Sequence, residues 1–423
     1  MPSLEWPGKS ARQPEPQPTH LDSAVYPHKN QQNQLAEDQP SPLPDSIQNQ
    51  LIHGENFHVL SNLAQTHTGQ ARLVYIDPPF FTNRKFKARL GRSEDSRKPD
   101  QWQLTEGYGD QWRSLDDYLN FLYQRLLLIH TLLADDGTIY LHLDWHANAY
   151  ARLLLDEIFG EANLLNEIIW TYHGPSPIKT AFNRKHDTIY AYTKSSQYIF
   201  NTDAVRVPYD ETTRKTFLSS PKAGFGKVPD LDRGKVPEDW WYFPVVARLH
   251  GERTGYPTQK PQGLLQRIIQ ASTNPGDLVI DLFCGSGTTA AAASQLGRRF
   301  ITCDATMRAV NTTHERLVRQ GSQPFQVLQL GSQPTRAEHT TAALFTLENN
   351  RINLATKEDV VYWEVDPNWD GASFHSRLQA GTSNRTDEVQ TSLNLPPSGA
   401  TKKIAARAIL RDDRVLQQEL AAG

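Results

Sequence analysis

Residues 276–304 read GDLVIDLFCGSGTTAAAASQLGRRFITCD, and this stretch predicts one complete strand–turn–helix–strand unit. Residues 279–283 form a short apolar run that suits a buried parallel strand. Gly285 and Gly287 allow a tight turn, and small residues then carry a helix that ends at Gly297. A helix N-terminus beside a glycine turn binds polar or anionic groups, and Asp304 at the end of the second strand is placed to accept hydrogen bonds from a ribose.

This unit does not identify its ligand by itself. The pattern Gly285-x-Gly287-x-x-Ala290 followed by Asp304 fits a nicotinamide or flavin enzyme about as well as an S-adenosylmethionine enzyme. The choice between these classes therefore depends on residues elsewhere in the chain.

Composition restricts the classes of protein that need to be considered. With 423 residues the chain can bury a sizeable core, and its net charge of -3 argues against a uniformly basic surface for nucleic acid. Cys284 and Cys303 are the only cysteines, so neither a disulfide framework nor a cysteine-based zinc site is expected, and we expect no metal. We see no signal peptide and no apolar run of membrane-spanning length, which favours a cytoplasmic location without membrane contact.

Changes in composition along the chain suggest its organisation. Residues 1–50 contain 9 Pro and 8 Gln, and we expect this segment to be disordered. In residues 51–330 apolar strands alternate with helices, which predicts an α/β fold with a doubly wound, mostly parallel sheet. Residues 200–255 interrupt this alternation and look like an inserted recognition segment. Residues 331–423 are expected to form a small C-terminal β-containing appendage with a linker.

A second motif, Asp77-Pro78-Pro79-Phe80, follows a predicted strand over residues 71–77. Ligands of open α/β sheets bind at the carboxyl ends of the strands. A flat heterocycle with an exocyclic amine would fit this turn, because the amine can donate to the Asp77 carboxylate and the Pro78 carbonyl while Phe80 stacks on the ring. The two prolines stiffen the turn and preorganise both acceptors.

Three motifs in a fixed order give the chain a family resemblance. The Asp77-Pro78-Pro79-Phe80 turn, Tyr256 to Pro261 (YPTQKP) and Asp281 to Gly287 (DLFCGSG) resemble the motifs of the β-class DNA amino-methyltransferases, over roughly residues 51–330. These enzymes transfer a methyl group from S-adenosylmethionine to adenine N6 or cytosine N4. The resemblance implies a Rossmann-like methyltransferase fold and S-adenosylmethionine as the cofactor.

The resemblance also implies roles for individual residues. It assigns catalysis to the turn at residues 77–80, and it places Glu55 near the cofactor adenine, although the family usually has Asp or Asn there. The implied cofactor-binding residues are Asp281, Phe283, Cys284, Gly285, Gly287, Asp304, Thr258, Lys260 and Glu55. Asp77 at the first position of its motif favours adenine, since the cytosine-N4 type usually has Ser there.

Several alternatives stay open at this stage. They are a cytosine-N4 methyltransferase, a related enzyme that acts on RNA or on a protein amide, a nicotinamide enzyme and a catalytically silent DNA-binding subunit. Methylation at cytosine C5 is excluded because it needs a nucleophilic thiolate, and neither Cys284 nor Cys303 follows a proline or lies outside the cofactor unit.

Local positive charge suggests where DNA binds. Residues 84–98 carry a surplus of five positive charges without periodicity, which we interpret as a mobile basic loop that contacts phosphates through Arg84, Lys85 and Lys87. Residues 171–260 carry a similar surplus. The expected partner is double-stranded DNA, with a restriction nuclease as a candidate second partner. The sequence leaves open whether the protein is a monomer or a homodimer.

Overall fold

The computed structural model describes residues 3–27, 46–89, 104–175, 178–219, 229–247, 251–331, 337–357, 359–381, 389–396 and 403–420. The helices in these ranges are α1 (Asn56–Thr66), α2 (Leu115–Leu132), α3 (Asn148–Phe159), α4 (Glu211–Ser219), α5 (Gln262–Ser272), α6 (Thr288–Gln295) and α7 (Met307–Arg319). The strands are β1 (Thr19–Val25), β2 (Asn49–His53), β3 (Ala71–Ile76), β4 (Arg84–Arg89), β5 (Leu104–Asp110), β6 (Leu133–Leu143), β7 (Leu164–Thr171), β8 (His186–Thr193), β9 (Trp240–Tyr242), β10 (Leu278–Asp281), β11 (Arg299–Asp304), β12 (Phe325–Leu330), β13 (Ala337–His339), β14 (Phe345–Glu348), β15 (Arg351–Leu354), β16 (Val360–Asp366), β17 (Phe374–Ser376), β18 (Leu378–Gly381), β19 (Ser392–Asn394), β20 (Ile404–Leu410) and β21 (Val415–Leu420).

One large sheet organises the molecule. Its strand order is β17-β1-β12-β2-β11-β10-β3-β6-β8-β7-β9. The block from β12 to β6 is parallel throughout. Antiparallel pairing occurs where β1 meets β12 and where β8 pairs with β6 and β7. The prediction of a doubly wound, mostly parallel α/β fold is therefore confirmed.

Helices cover both faces of this sheet. Leu60 of α1 and Leu126 of α2 are fully buried on one face, whereas Leu265 of α5 and Leu317 of α7 are fully buried on the other. Burial of both faces explains why the central strands read as continuous apolar runs instead of alternating ones. Ser114 caps the start of α2, since its Oγ accepts a hydrogen bond from the Asp117 backbone N–H at 3.2 Å.

The position of the site follows from the connections of β3 and β10. These two strands are parallel neighbours. The chain leaves β10 through α6 and returns in β11 on one side, while it leaves β3 through α2 and returns in β6 on the other side. Where neighbouring connections diverge in this way, a crevice opens at the carboxyl ends of the strands.

The prediction that residues 1–50 are disordered is wrong for residues 3–27, while residues 28–45 lie outside the described residues. β1 pairs with β12, and Trp6 is buried against Tyr123. The Lys9 ammonium lies 5.0 Å from the centre of the Trp6 ring. Composition misled because a Pro- and Gln-rich segment needs only a few apolar anchors when the remaining core is supplied by the domain on which it packs.

The predicted basic loop and the predicted insert both contain β-strands that the sequence did not indicate. Residues 84–89 of the predicted basic loop form β4, which pairs with β5 as an antiparallel hairpin, so the loop prediction is wrong there; residues 90–98 lie outside the described residues. In the predicted insert, residues 200–255, β9 extends the main sheet beside β7. A recognition role for the insert stays a prediction.

The C-terminal residues form sheets that pack on the main domain. β13, β21, β20, β16 and β18 make a five-stranded sheet, and β17 joins the edge of the main sheet beside β1. Asn311 of α7 donates a hydrogen bond to the Asp413 carbonyl at 3.1 Å. In the described parts of the chain, no helix has the length and apolarity needed to cross a membrane.

We predict that Trp6→Ala will lower the free energy of unfolding by about 3–5 kcal/mol, the usual cost of deleting a buried indole. Trp6 is 8% exposed and belongs to the core that contains α2. Chemical denaturation monitored by circular dichroism would measure the change. The control is Leu218→Ala, because Leu218 is 69% exposed and its truncation should change stability little. Equal stability of the Trp6 variant and the wild type would mean that the N-terminal segment does not belong to the folded domain.

Candidate active site

Three carboxylates lie at the ends of three neighbouring strands. Asp304 ends β11, Asp281 ends β10 and Asp77 follows β3, and these strands are adjacent and parallel. The carboxyl ends of parallel strands meet at one edge of a sheet, so the fold brings together two motifs that are about 200 residues apart in the chain.

This edge contains a cavity of about 450 Å³, which we call the inner cavity. It is lined by all of the predicted catalytic and cofactor-binding residues except Gly287. A second cavity of about 760 Å³, the outer cavity, adjoins it, and the two share Phe80, Tyr108 and residues 256–260 as a common wall. Both volumes are in the range of small-molecule sites.

The glycine loop is held between two of the carboxylates. Asp281 accepts a hydrogen bond from the Phe283 N–H at 3.0 Å, and Asp304 accepts one from the Gly285 N–H at 3.1 Å. Cys284 lines the cavity, but its Sγ lies 3.5 Å from the Thr313 hydroxyl and burial raises the pKa of its thiol, which fits no nucleophilic role.

Gly287 has a packing role that the sequence did not suggest. Its φ of +71° is in the left-handed region, and a Cβ atom there would lie 2.7 Å from the Thr313 methyl group of α7. Gly287 therefore permits the turn and the close packing of α6 on α7, and it does not line the inner cavity. At Gly285 the added Cβ would instead meet the Tyr256 ring at 3.0 Å, inside the shared wall.

The electrostatics of the edge are dominated by burial. Burial raises the pKa of Asp281 to about 7, and it also raises the pKa of Asp304. A buried carboxyl that titrates near neutrality is stabilised as a carboxylate when a cation approaches it. The edge is therefore suited to a ligand that carries positive charge.

Glu55 lies at the start of α1 and belongs to a network that the sequence did not predict. One of its carboxylate oxygens caps α1 by accepting from the Phe57 N–H at 2.9 Å, while the other forms an ion pair with Arg125. Arg125 is buried and also donates to the Asn56 side chain at 2.6 Å, and Asn56 donates to the Leu282 carbonyl at 3.2 Å. The network ties α1 and α2 to the loop after β10. The sequence contained one signal for this network, which is an arginine among the apolar residues of the segment that forms α2.

The turn at residues 77–80 presents one free acceptor. Asp77 Oδ2 lies 2.5 Å from Lys260 Nζ, whereas Asp77 Oδ1 is buried and has no hydrogen-bond partner among the described residues. The Tyr118 hydroxyl donates to the Pro79 carbonyl at 3.0 Å, and buried Asp110 accepts from the Thr82 N–H at 2.8 Å. The sequence did not predict Asp110, which fixes the chain immediately after the motif.

Phe80 rests on a buried polar network. Its ring centre lies 5.8 Å from that of His142. His142 Nδ1 is 2.8 Å from the Tyr75 hydroxyl and its Nε2 is 3.2 Å from Asp187 Oδ2. Burial raises the pKa of Asp187, but the hydrogen bond and charge of His142, the charge of Lys260 and the hydrogen bond from Tyr172 outweigh it and leave this pKa lowered. The Phe80 ring, which is expected to stack on a substrate, is therefore supported by its contact with His142.

The predicted DNA-contacting cations lie on β4. Arg84, Lys85 and Lys87 are all exposed, and Arg84 and Lys87 line the outer cavity. On the other side of that cavity the Arg184 guanidinium stacks on the Trp145 ring at 4.1 Å. Cations and aromatic rings around one opening are typical of nucleic-acid sites. Within the described residues no group of three or more His, Cys, Asp or Glu residues could hold a metal ion.

Comparison with known proteins agrees with this geometry. Residues 71–315 match the family model for N6/N4 DNA methylases. Type II methyltransferase M.EcaI of Enterobacter cloacae is 29% identical in an alignment 329 residues long that covers 64% of this chain and 69% of that protein. DNA adenine methyltransferase YhdJ of Escherichia coli K12 is 28% identical and covers 59% of this chain and 76% of its own length. Type II methyltransferase M1.MboII of Moraxella bovis is 30% identical, in an alignment that covers 59% of this chain and 90% of that protein. Because the family model matches more than half of the chain, the protein belongs to the N6/N4 DNA methylase family.

Proposed function

We propose that the protein methylates adenine N6 in a specific sequence of double-stranded DNA, with the target base turned out of the helix into the outer cavity. The observation that carries this proposal is the buried Oδ1 of Asp77, which has no hydrogen-bond partner among the described residues and lines the inner cavity near Phe80, a residue that both cavities share. An exocyclic amine is the group that such an acceptor, beside the Pro78 carbonyl and the Phe80 ring, would bind.

The family uses S-adenosylmethionine as methyl donor, and the inner cavity fits this cofactor. Asp281 would lie near its positive charge, and Asp304, held by the Gly285 N–H, would accept hydrogen bonds from the ribose hydroxyls. Thr258, Phe283 and the Glu55 turn complete the wall of the cavity. When bound, the cofactor supplies an electrophilic methyl group on a sulfonium ion.

The residues of the turn would orient the amine and compensate its charge. Asp77 Oδ1 and the Pro78 carbonyl accept its two N–H groups, which directs the nitrogen lone pair toward the inner cavity. As the C–N bond forms and the C–S bond breaks, positive charge develops on nitrogen and the Asp77 carboxylate stabilises it. The proton that the nitrogen then loses passes to Asp77 or to solvent. Phe80, supported by His142, holds the plane of the base.

Adenine is favoured over cytosine by the Asp at the first position of the Asp77-Pro78-Pro79-Phe80 motif. The relative named as a DNA adenine methyltransferase supports this choice. The alternative is cytosine N4, whose amine would make the same two hydrogen bonds. Because other relatives are named type II methyltransferases, we also propose a restriction nuclease of the same sequence specificity as a cellular partner in the cytoplasm.

We predict that Asp77→Asn will slow methyl transfer by roughly 10- to 150-fold, which corresponds to losing about 1.5–3 kcal/mol of charge-assisted hydrogen bonding. Asn keeps the size of the side chain but removes the negative charge that offsets the cation developing on nitrogen. Single-turnover transfer of labelled methyl groups, followed by nucleoside mass spectrometry, measures both the rate and the product.

The matched control is Asp412→Asn, an exposed position in the turn between β20 and β21, which should react at the wild-type rate. Cofactor affinity of the Asp77 variant should hardly change. A product methylated at cytosine N4, or an unchanged rate in the Asp77 variant, would contradict the proposal.

We predict that cofactor affinity will increase with pH below about 7, by up to about tenfold per pH unit, because Asp281 must be ionised to pair with a cation. The free protein holds the pKa of Asp281 at about 7. Binding of positive charge lowers that pKa, so a proton is released on binding. Calorimetry in two buffers of different ionisation enthalpy counts the released protons.

The control for this prediction is Asp281→Asn, which keeps the size of the side chain and cannot titrate. It should bind the cofactor more weakly at pH 8 and should lose most of the pH dependence. If proton release is the same in the variant, the proton comes from the ligand or from another residue, and the role of Asp281 is refuted.

We predict that the triple variant Arg84→Gln, Lys85→Gln, Lys87→Gln will bind DNA more weakly and with a shallower salt dependence. Each lost phosphate contact should reduce the slope of log affinity against log salt by about 0.9. Fluorescence anisotropy over a salt series measures this slope. Glutamine replacement of Arg351, Lys357 and Lys403, three exposed cations in the C-terminal part, removes the same charge as a control. Equal slopes in the two triple variants would exclude direct phosphate contacts by β4.

A further inference from the structure

Lys260 extends across the inner cavity to the catalytic turn. Its Nζ lies 2.5 Å from Asp77 Oδ2 and 5.2 Å from the centre of the Phe80 ring. Lys260 is 8% exposed, and the Asp77 side chain is 18% exposed. The ammonium therefore lies beside the same carboxylate and the same ring that the proposed function assigns to the target base.

The backbone that carries Lys260 is anchored away from Asp77. The Lys260 carbonyl accepts a hydrogen bond from the Thr288 hydroxyl at 3.2 Å, at the start of α6. Gln259 is held by its side-chain donation to the Glu252 carbonyl at 2.7 Å, and Thr258 has a φ of +56°. Because the turn is fixed on the α6 side, only the flexible side chain of Lys260 reaches β3.

The charge balance of the cavity depends on this side chain. Glu55, Asp77, Asp281 and Asp304 line the inner cavity, and among its described lining residues Lys260 is the only cation. The titratable groups that act on Asp77 are Tyr75 on β3, Tyr108 on β5, Asp281 on β10 and Lys260. Asp281 repels the Asp77 carboxylate when it is ionised and the two tyrosines carry no charge when protonated, so among these groups Lys260 is the one that attracts the carboxylate.

We infer that Lys260 is a positioning residue that holds the Asp77 carboxylate in place before the target amine enters, and that it acts through Asp77 and not by binding the cofactor. This inference rests on the proposed function. When the amine arrives, it takes the free Oδ1 first, and the ammonium withdraws toward the Thr258 carbonyl, to which it already donates at 3.4 Å. The withdrawal leaves the full carboxylate charge for the nitrogen that becomes cationic.

The test uses Lys260→Met, which keeps much of the length and removes the charge, and Lys260→Arg, which keeps the charge. Without the ammonium, the Asp77 carboxylate loses the contact that fixes its orientation toward the amine. We expect the single-turnover rate of Lys260→Met to fall at least about tenfold, because a misplaced group at the reacting centre slows the chemical step. Lys260→Arg should restore most of the wild-type rate.

A double variant decides whether Lys260 acts through Asp77. If it does, Asp77→Asn with Lys260→Met should be no slower than Asp77→Asn alone, because the group on which Lys260 acts is already neutral. If the rate loss of the double variant is the product of the losses in the two single variants, the inference is overturned. A loss of cofactor affinity of more than about tenfold in Lys260→Met with a normal rate at saturating cofactor would also overturn it, since this is the signature of a lost binding contact.

Two controls keep the outcomes separate. Lys357→Met makes the same substitution at an exposed lysine of the C-terminal part, outside both cavities, and should keep the wild-type single-turnover rate. Thermal unfolding of every variant reports whether the fold is intact, and the charge-retaining Lys260→Arg remains informative if Lys260→Met does not fold. The methylated nucleoside made by the wild type tests the proposed function independently, because the coupling of Lys260 to Asp77 can be measured whichever base is modified.

Discussion

Carboxylates buried at the ends of adjacent parallel strands are the constraint on which the rest of this structure depends. A buried carboxylate is costly unless a donor or a cation compensates it. Asp304 is compensated by backbone and hydroxyl donors, Asp281 by the Phe283 N–H, and Asp77 by the Lys260 ammonium. Each compensating group comes from a loop that also forms a wall of the inner cavity. The loops that compensate the buried carboxylates are therefore the same loops that form the site.

The compensation is incomplete in a way that suits chemistry on a cationic ligand. Burial raises the pKa values of Asp281 and Asp304, and one oxygen of Asp77 has no hydrogen-bond partner among the described residues. A bound positive charge would stabilise the ionised forms of Asp281 and Asp304. An amine would supply the hydrogen bond that the Asp77 oxygen lacks. Strain of this kind is typical of active sites, where polar groups await a ligand. The three carboxylates line the inner cavity, and Phe80 belongs to the wall that this cavity shares with the outer one.

Local sequence patterns predicted most of the catalytic fold, but they failed where local composition and tertiary context disagree. The Pro- and Gln-rich N-terminus contributes β1 and Trp6 because the domain supplies the surface on which they pack. The basic segment begins as β4 because β5, brought back by the chain, pairs with it. The family resemblance assigned Gly287 to the cofactor loop, and the structure adds a requirement for glycine that no local pattern shows, because Thr313 of α7 leaves no room for a Cβ atom there.

The sequence by itself determined the strands, the turn chemistry and the carboxylates at the strand ends, because hydrophobic period and turn residues act over a few positions. It could also order the motifs along the chain and so indicate their shared chemistry. Only the tertiary structure decided that β3 lies beside β10, that Arg125 holds the Glu55 turn, and that Lys260 reaches Asp77. The last two contacts join residues 70 and 183 positions apart. Contacts at such separations arise from the packing of whole elements, and no local pattern of residues encodes them.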